Sequence, residues 1–187
     1  MIKKAHAFTI VELLIVIVVI AILAAISIIA YRGIQDRATN TSIINSVSQT
    51  LKMIQAYVAE TGEYPELSSA CVTSTTGCAD ANVAISSSPI FDTNMQKVGT
   101  PPKSTATLGG TTRYGVIYTY QATRTLDSQS RPAILLYYLQ GINQSCGMAI
   151  TSSYGPVMAT TSSRYTGGNS GSSGKTACVV SIPGPGA

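Results

Sequence analysis

From Phe8 to Ala30 the sequence is built almost wholly from Ile, Val, Leu and Ala. As a helix, that run of roughly 23 residues is about 34 Å long, enough to cross a hydrocarbon core ~30 Å thick. The basic residues ahead of it are Lys3 and Lys4. Positive-inside bias then leaves a short N-terminus in the cytoplasm and the rest of the chain outside. Secretory signals share this layout, but their apolar regions run about 7–15 residues and end in a small-residue cleavage site. Ile28-Ile29-Ala30 matches such a site poorly. The run therefore predicts an anchor.

Glu12 lies inside that anchor, close to its start. An acidic residue in the middle of an inserting segment costs ~2.5–3.5 kcal/mol, and such residues mark function and imply a partner. A plain anchor gains nothing from it. The string Ala7-Phe8-Thr9-Ile10-Val11-Glu12-Leu13-Leu14 follows a short leader holding Lys3 and Lys4. It resembles the class III signal of type IV pilins and type II secretion pseudopilins. The resemblance implies cleavage between Ala7 and Phe8 by a membrane-embedded prepilin peptidase, and N-methylation of the new terminus at Phe8. The family usually has Gly before the cut; Ala7 is still small enough for a tight subsite. The resemblance also supplies a partner for Glu12, the positive N-terminus of a neighbouring subunit. A paired charge is tolerable in a low-dielectric bundle where an orphan is not, so such a salt bridge would set axial register.

Beyond Tyr31 and Arg32 the pattern becomes amphipathic. Ile44, Val47, Leu51, Ile54 and Val58 recur at alternating three- and four-residue steps, one stripe of a helix. Ile34 and Ile43 flank the stripe, and Asn40, Gln49, Lys52 and Gln55 are expected on the opposite face. One helix is predicted from about Phe8 to Glu60, near 80 Å at ~1.5 Å per residue. Gly62 followed by Pro65 is the stop signal. Gly62, Tyr64 and Pro65 also form a G-x-Y-P turn found at this place in pilins and pseudopilins. Family members often carry a proline in the apolar half; this sequence has none there, which leaves Ser27 and Gly33 as its weaker points.

The remainder is predicted as a head. Glu66 to Thr112 reads as a loop rich in Ser, Thr, Ala and Pro, with one short helix near Ala79–Ala84. Strands are predicted at Tyr114–Tyr120, Ala133–Leu139 and Ala177–Ile182, with another from Cys146 to Ile150 and a polar turn around Asp127–Ser130. Tyr114, Val116, Tyr118 and Tyr120 share one face. The expected fold class is α+β: a long N-terminal helix, apolar then amphipathic, packed on a small antiparallel sheet of three or four strands, the pilin fold. The division is 1–7 leader, 8–30 transmembrane and filament-core helix, 31–61 amphipathic half, 62–113 variable region, and 114–187 sheet with a C-terminal loop. Ten tyrosines suit rings buried against the helix with hydroxyls at the edge.

Four cysteines in an exported head allow three disulfide pairings. Cys71 with Cys78, closing a small loop, and Cys146 with Cys178, tying in the last strand, are favoured. The second pair resembles the C-terminal disulfide loop of type IV pilins. The spacings lack the paired pattern of a zinc site, and only Asp80 and Asp92 lie where pseudopilins often cluster calcium-binding acids, so no metal or cofactor is expected. The only histidine, His6, precedes the cut, which removes His-based catalysis from a processed chain. The formal charge is +4, two of it from Lys3 and Lys4, and only 11% of residues are charged, which is not a clustered nucleic-acid footprint. Arg113, Arg124, Arg131 and Arg164 are candidates for an anionic surface, and Asn40-Thr41-Ser42 and Asn143-Gln144-Ser145 match the glycosylation pattern.

These readings point to a non-enzymatic structural subunit of a type IV pilus, with roles in adhesion, motility or DNA uptake. Its expected partners are copies of itself, the prepilin peptidase, the inner-membrane assembly platform, and a host-cell, surface or DNA ligand. It would begin in the inner membrane with its N-terminus cytoplasmic and end in an extracellular filament. The alternatives are a minor pilin or type II secretion pseudopilin and, from another class, an anchored or secreted adhesin for which Glu12 is dispensable.

Overall fold

The computed structural model describes residues 9–72, 77–80, 83–102, 113–126, 129–142, 144–147, 158–159 and 174–182. The chain divides into two compact units, Met1–Arg37 and Ala38–Ala187. Helix α1, Ile10–Thr61, contributes to both. After it come β1 (Ala70–Cys71), β2 (Cys78–Asp80), β3 (Val83–Ile85) and α2 (Pro89–Met95). Then follow β4 (Arg113–Tyr114), β5 (Val116–Tyr120), β6 (Thr125–Leu126), β7 (Gln129–Ser130), β8 (Ala133–Gln140), β9 (Met158–Ala159) and β10 (Lys175–Ser181). The fold is α+β, a helix packed on a small antiparallel sheet.

In the second unit the main sheet has five strands in the order β1-β5-β8-β10-β9, at least one more than expected. Register places Tyr118 of β5 opposite Leu135 of β8, and Tyr137 of β8 opposite Cys178 of β10. Because side chains alternate along a strand, this register sorts them onto two faces. Val116, Tyr118, Leu135, Tyr137, Leu139, Cys178 and Val180 share a core with Ile43, Val47, Leu51, Ile54, Tyr57 and Val58 of α1. Ile117, Ile134, Leu136, Tyr138, Ala177 and Val179 form a second cluster with Cys71 and Cys78. The sheet is thus buried on both faces, which explains why β8 is an unbroken apolar run instead of an alternating one.

Several local expectations are corrected. Where a helix is expected near Ala79–Ala84, the described residues are strand: β2 and β3 pair there, and β2 also pairs with β4 in a three-stranded sheet, while residues 81–82 lie outside the described residues. The short helix is α2, where Ser88 caps the N-terminus by accepting from the Phe91 amide at 3.2 Å and Pro89 opens the first turn. Its Phe91 and Met95, one turn apart, are buried. The loop predicted over Glu66–Thr112 therefore carries three strands and a helix, each too short for periodicity to reveal.

Cys146 and Gly147 are irregular, so the strand expected from Cys146 does not begin there; residues 148–150 lie outside the described residues. Of the polar turn expected at Asp127–Ser130, Gln129–Ser130 is strand β7, paired antiparallel with β6, and residues 127–128 lie outside the described residues. The strand expected from Tyr114 to Tyr120 is split at Gly115 between two sheets. Gly115 has φ +82°, and a Cβ there would fall 2.4 Å from Cys78 Sγ, so both backbone conformation and space require glycine. Asn40, expected on the exposed face, is instead buried.

Candidate assembly segment and the anchorage of the head

Within the first unit, α1 opens on a reciprocal cap. Thr9 N–H and Thr9 Oγ1 both donate to Glu12 Oε2 at 2.8 Å, and the Glu12 amide donates to Thr9 Oγ1 at 3.2 Å. This is a capping box, in which Thr at the N-cap and Glu at the third helical position satisfy each other's orphan donors. Negative charge at this end also complements the helix dipole. The T-x-x-E spacing that encodes the box stands in the sequence, so Thr9 was legible as the local partner of Glu12.

From Ile10 to Ile34 the large apolar side chains are exposed, among them Leu14, Ile17, Ile20, Leu23 and Ile26. Ser27 Oγ returns to Leu23 O at 2.8 Å, so its hydroxyl is satisfied within the helix. Among the described residues, α1 is long and apolar enough to cross a membrane. Apolar surface of this extent is not left facing water in a working protein; it marks contact with lipid or with another chain.

Residues 2–28 match the model of the prokaryotic N-terminal methylation motif. The match agrees with the resemblance of this N-terminus to the class III signal of type IV pilins and pseudopilins. No curated protein and no solved structure matches the chain. The motif and the apolar helix together fit a membrane-anchored precursor. Ala7 and Phe8 lie outside the described residues.

The class III segment is followed, in the second unit, by a head anchored through its helix end. Gly62 takes φ +72° just past α1, and its amide donates to Val58 O at 2.9 Å, the left-handed C-cap that glycine favours. Tyr64 then packs on Tyr120 with ring centroids 5.4 Å apart. Pro65 is buried, and its carbonyl accepts from Asn94 Nδ2 at 2.8 Å. Glu66 joins β5 to the N-terminus of α2: its carbonyl accepts from Tyr118 Oη at 2.7 Å and its carboxylate from Ser88 Oγ at 2.7 Å, with the neighbouring Leu67 amide also donating to the carboxylate. The G-x-Y-P turn thus stops the helix and seats the next segment between α2 and the sheet.

Cys71 is bonded to Cys78 with Cα atoms 5.3 Å apart, and Cys146 to Cys178 with Cα atoms 5.8 Å apart. The first links β1 to β2, and so the two larger sheets. The second ties the Cys146 loop to β10, where Tyr137 Oη also donates to Cys146 O at 2.8 Å. Burial pushes the phenols of Tyr118 and Tyr137 well above their ordinary pKa.

Of the four arginines considered for an anionic surface, Arg124 and Arg131 are described, and they meet through main chain, the Arg131 amide donating to Arg124 O at 2.8 Å. Arg124 Nη1 donates to Thr119 O and Pro132 O, bracing the neck between β5 and β8, and Arg131 is buried. The Arg113 side chain and all of Arg164 lie outside the described residues. The Asn40 sequon is occupied in another way, since its amide binds main chain of β8. Asn143 lies outside the described residues.

Proposed function

We propose that this chain is the structural subunit of a type IV pilus filament. It is cut between Ala7 and Phe8, N-methylated on Phe8, and assembled by packing of its apolar helices. One observation carries the reading: the segment that matches the methylation motif is the same one that presents an unbroken apolar helix to its surroundings. A helix with that surface leaves the bilayer only for an equally apolar place, which a bundle of identical helices provides. Burying roughly twenty such side chains at ~25 cal/mol per Å2 is a large driving force.

Glu12 then sets register by pairing with the amino terminus of a neighbouring copy. The capping box is compatible with this role. Thr9 remains an amide after cleavage before Phe8, so it still donates to one carboxylate oxygen while the other is available for a neighbour. In a filament the head would be the exposed part, and adhesion, motility or DNA uptake would belong to its surface.

Mass spectrometry of the N-terminal peptide from surface-sheared material tests the proposal. The expected peptide begins at Phe8 and carries one extra methyl group. A start near Tyr31 would indicate ordinary signal removal and a soluble head, and the filament reading would fall. Abundance in the sheared fraction separates a major subunit from a minor pilin or pseudopilin.

A further inference from the structure

We propose that Asn40 is the latch at which α1 stops being able to unravel independently of the head. Its side chain is 7% exposed, although it belongs to a residue type of modest helix propensity. Asn40 Nδ2 donates to Gln140 O at 2.9 Å, and the Gln140 amide donates to Asn40 Oδ1 at 2.7 Å. The carboxamide therefore imitates a peptide group and engages the last residue of β8 as a neighbouring strand would. Asparagine, with a donor nitrogen and an acceptor oxygen on a short stem, can make both bonds from one side chain.

The turn of α1 that follows is gripped as well. A Cβ on Gly147 would lie 2.7 Å from Ile44 Cδ1, so the Cys146 loop is seated directly on Ile44. That loop is fixed at its base. The Gly141 amide donates to Gly174 O at 3.0 Å, Thr176 Oγ1 donates to Gly141 O at 2.8 Å, and the Gln144 amide donates to Thr176 Oγ1 at 2.9 Å. The Cys146–Cys178 bond closes the same base. On the N-terminal side the contrast is abrupt: every described residue from Thr9 to Ala38 is exposed. A helix without tertiary contacts opens turn by turn, whereas a residue held by two main-chain bonds opens only when those break. Bending or melting of α1 thus runs up to Asn40 and stops. This does not depend on the filament reading.

Hydrogen–deuterium exchange of the full-length chain in detergent micelles tests it. In Asn40→Ala, amides of residues 41–46 and of Gln140 should exchange about tenfold faster, because two hydrogen bonds are lost, with residues 54–58 unchanged. Asn40→Ser keeps a small polar side chain that is too short to make both bonds to Gln140, and should give an equally local increase. Asn45→Ala, on the exposed side of the helix, should change nothing. Unaltered exchange at residues 41–46 in both Asn40 variants overturns the proposal. So does equal acceleration at 41–46 and 54–58, which would make Asn40 a residue of general stability. If Asn40→Ala fails to accumulate, the Ser variant decides by the same two criteria.

Discussion

Residues 10–37 and 38–61 belong to one helix but solve opposite problems. In the first stretch Ile and Val point outward on every side, and Glu12, the acidic residue within the apolar run, is satisfied by Thr9. In the second, the apolar residues narrow to a stripe that closes on the sheet, while Gln49 and Lys52 remain outside. Identical backbone geometry therefore carries two different driving forces. The amphipathic half folds by packing within its own chain. The apolar half has no complementary surface among the described residues and needs lipid or other copies. A core residue and an exposed residue of the same type should then differ completely in what their loss does.

The largest expected effect falls on the outward half. Glu12→Ala should abolish or strongly reduce filaments in the sheared fraction while precursor still accumulates in the membrane, as immunoblots of the two fractions would read. Unchanged filament number and length would remove Glu12 from assembly.

Next comes a matched pair within the helix. Ile54 is fully buried, so Ile54→Ala should cost the head about 2–5 kcal/mol. Ile20→Ala, at an exposed position, should leave head unfolding within ~0.5 kcal/mol of native. Denaturant unfolding in detergent, followed by tyrosine near-UV circular dichroism, measures both. Equal effects would break the division between the halves.

A third test uses pH, and it concerns the head alone. The raised pKa of Tyr118 and Tyr137 means that the folded state holds their protons more tightly than the unfolded chain does. Their contribution is fully present below the unfolded value near 10. Above it, stability should fall by up to ~1.4 kcal/mol per pH unit for each tyrosine. Lys175 acts with the opposite sign, because burial lowers its pKa and stability recovers as pH rises towards its unfolded value. Melting temperatures from pH 8 to 11 should therefore drop mainly above pH 10, and Tyr137→Phe should make the drop shallower. A slope unaffected by Tyr137→Phe would place the alkaline sensitivity elsewhere.

The smallest effect is a gain. Thr50 is fully buried in the helix–sheet core, and its Oγ1 has no hydrogen-bond partner among the described residues. Thr50→Val keeps the shape and removes an unsatisfied hydroxyl, so the head should gain about 1 kcal/mol in the same unfolding experiment. A loss would mean that the hydroxyl has a partner, such as water, in solution.

Much of the architecture can be read from local pattern. The uninterrupted apolar run, Glu12 within it, the switch to a three-four stripe and the Gly62 stop are all short-range signals. Such signals state which surface each turn of helix must hide, and the capping box at Thr9 is written in four adjacent residues. The strand patterns at Val116–Tyr120, Ala133–Gln140 and Lys175–Ser181 are legible for the same reason. What tertiary structure decided is wherever a residue's partner lies far along the chain. Asn40 looks like an outward polar residue until Gln140 is beside it. Gly115 looks like part of a strand until Cys78 closes against it, and β2 and β3 are strands because β2 pairs with β3 on one side and with β4 on the other. Those choices depend on pairing free energies between distant segments, and no local period records them.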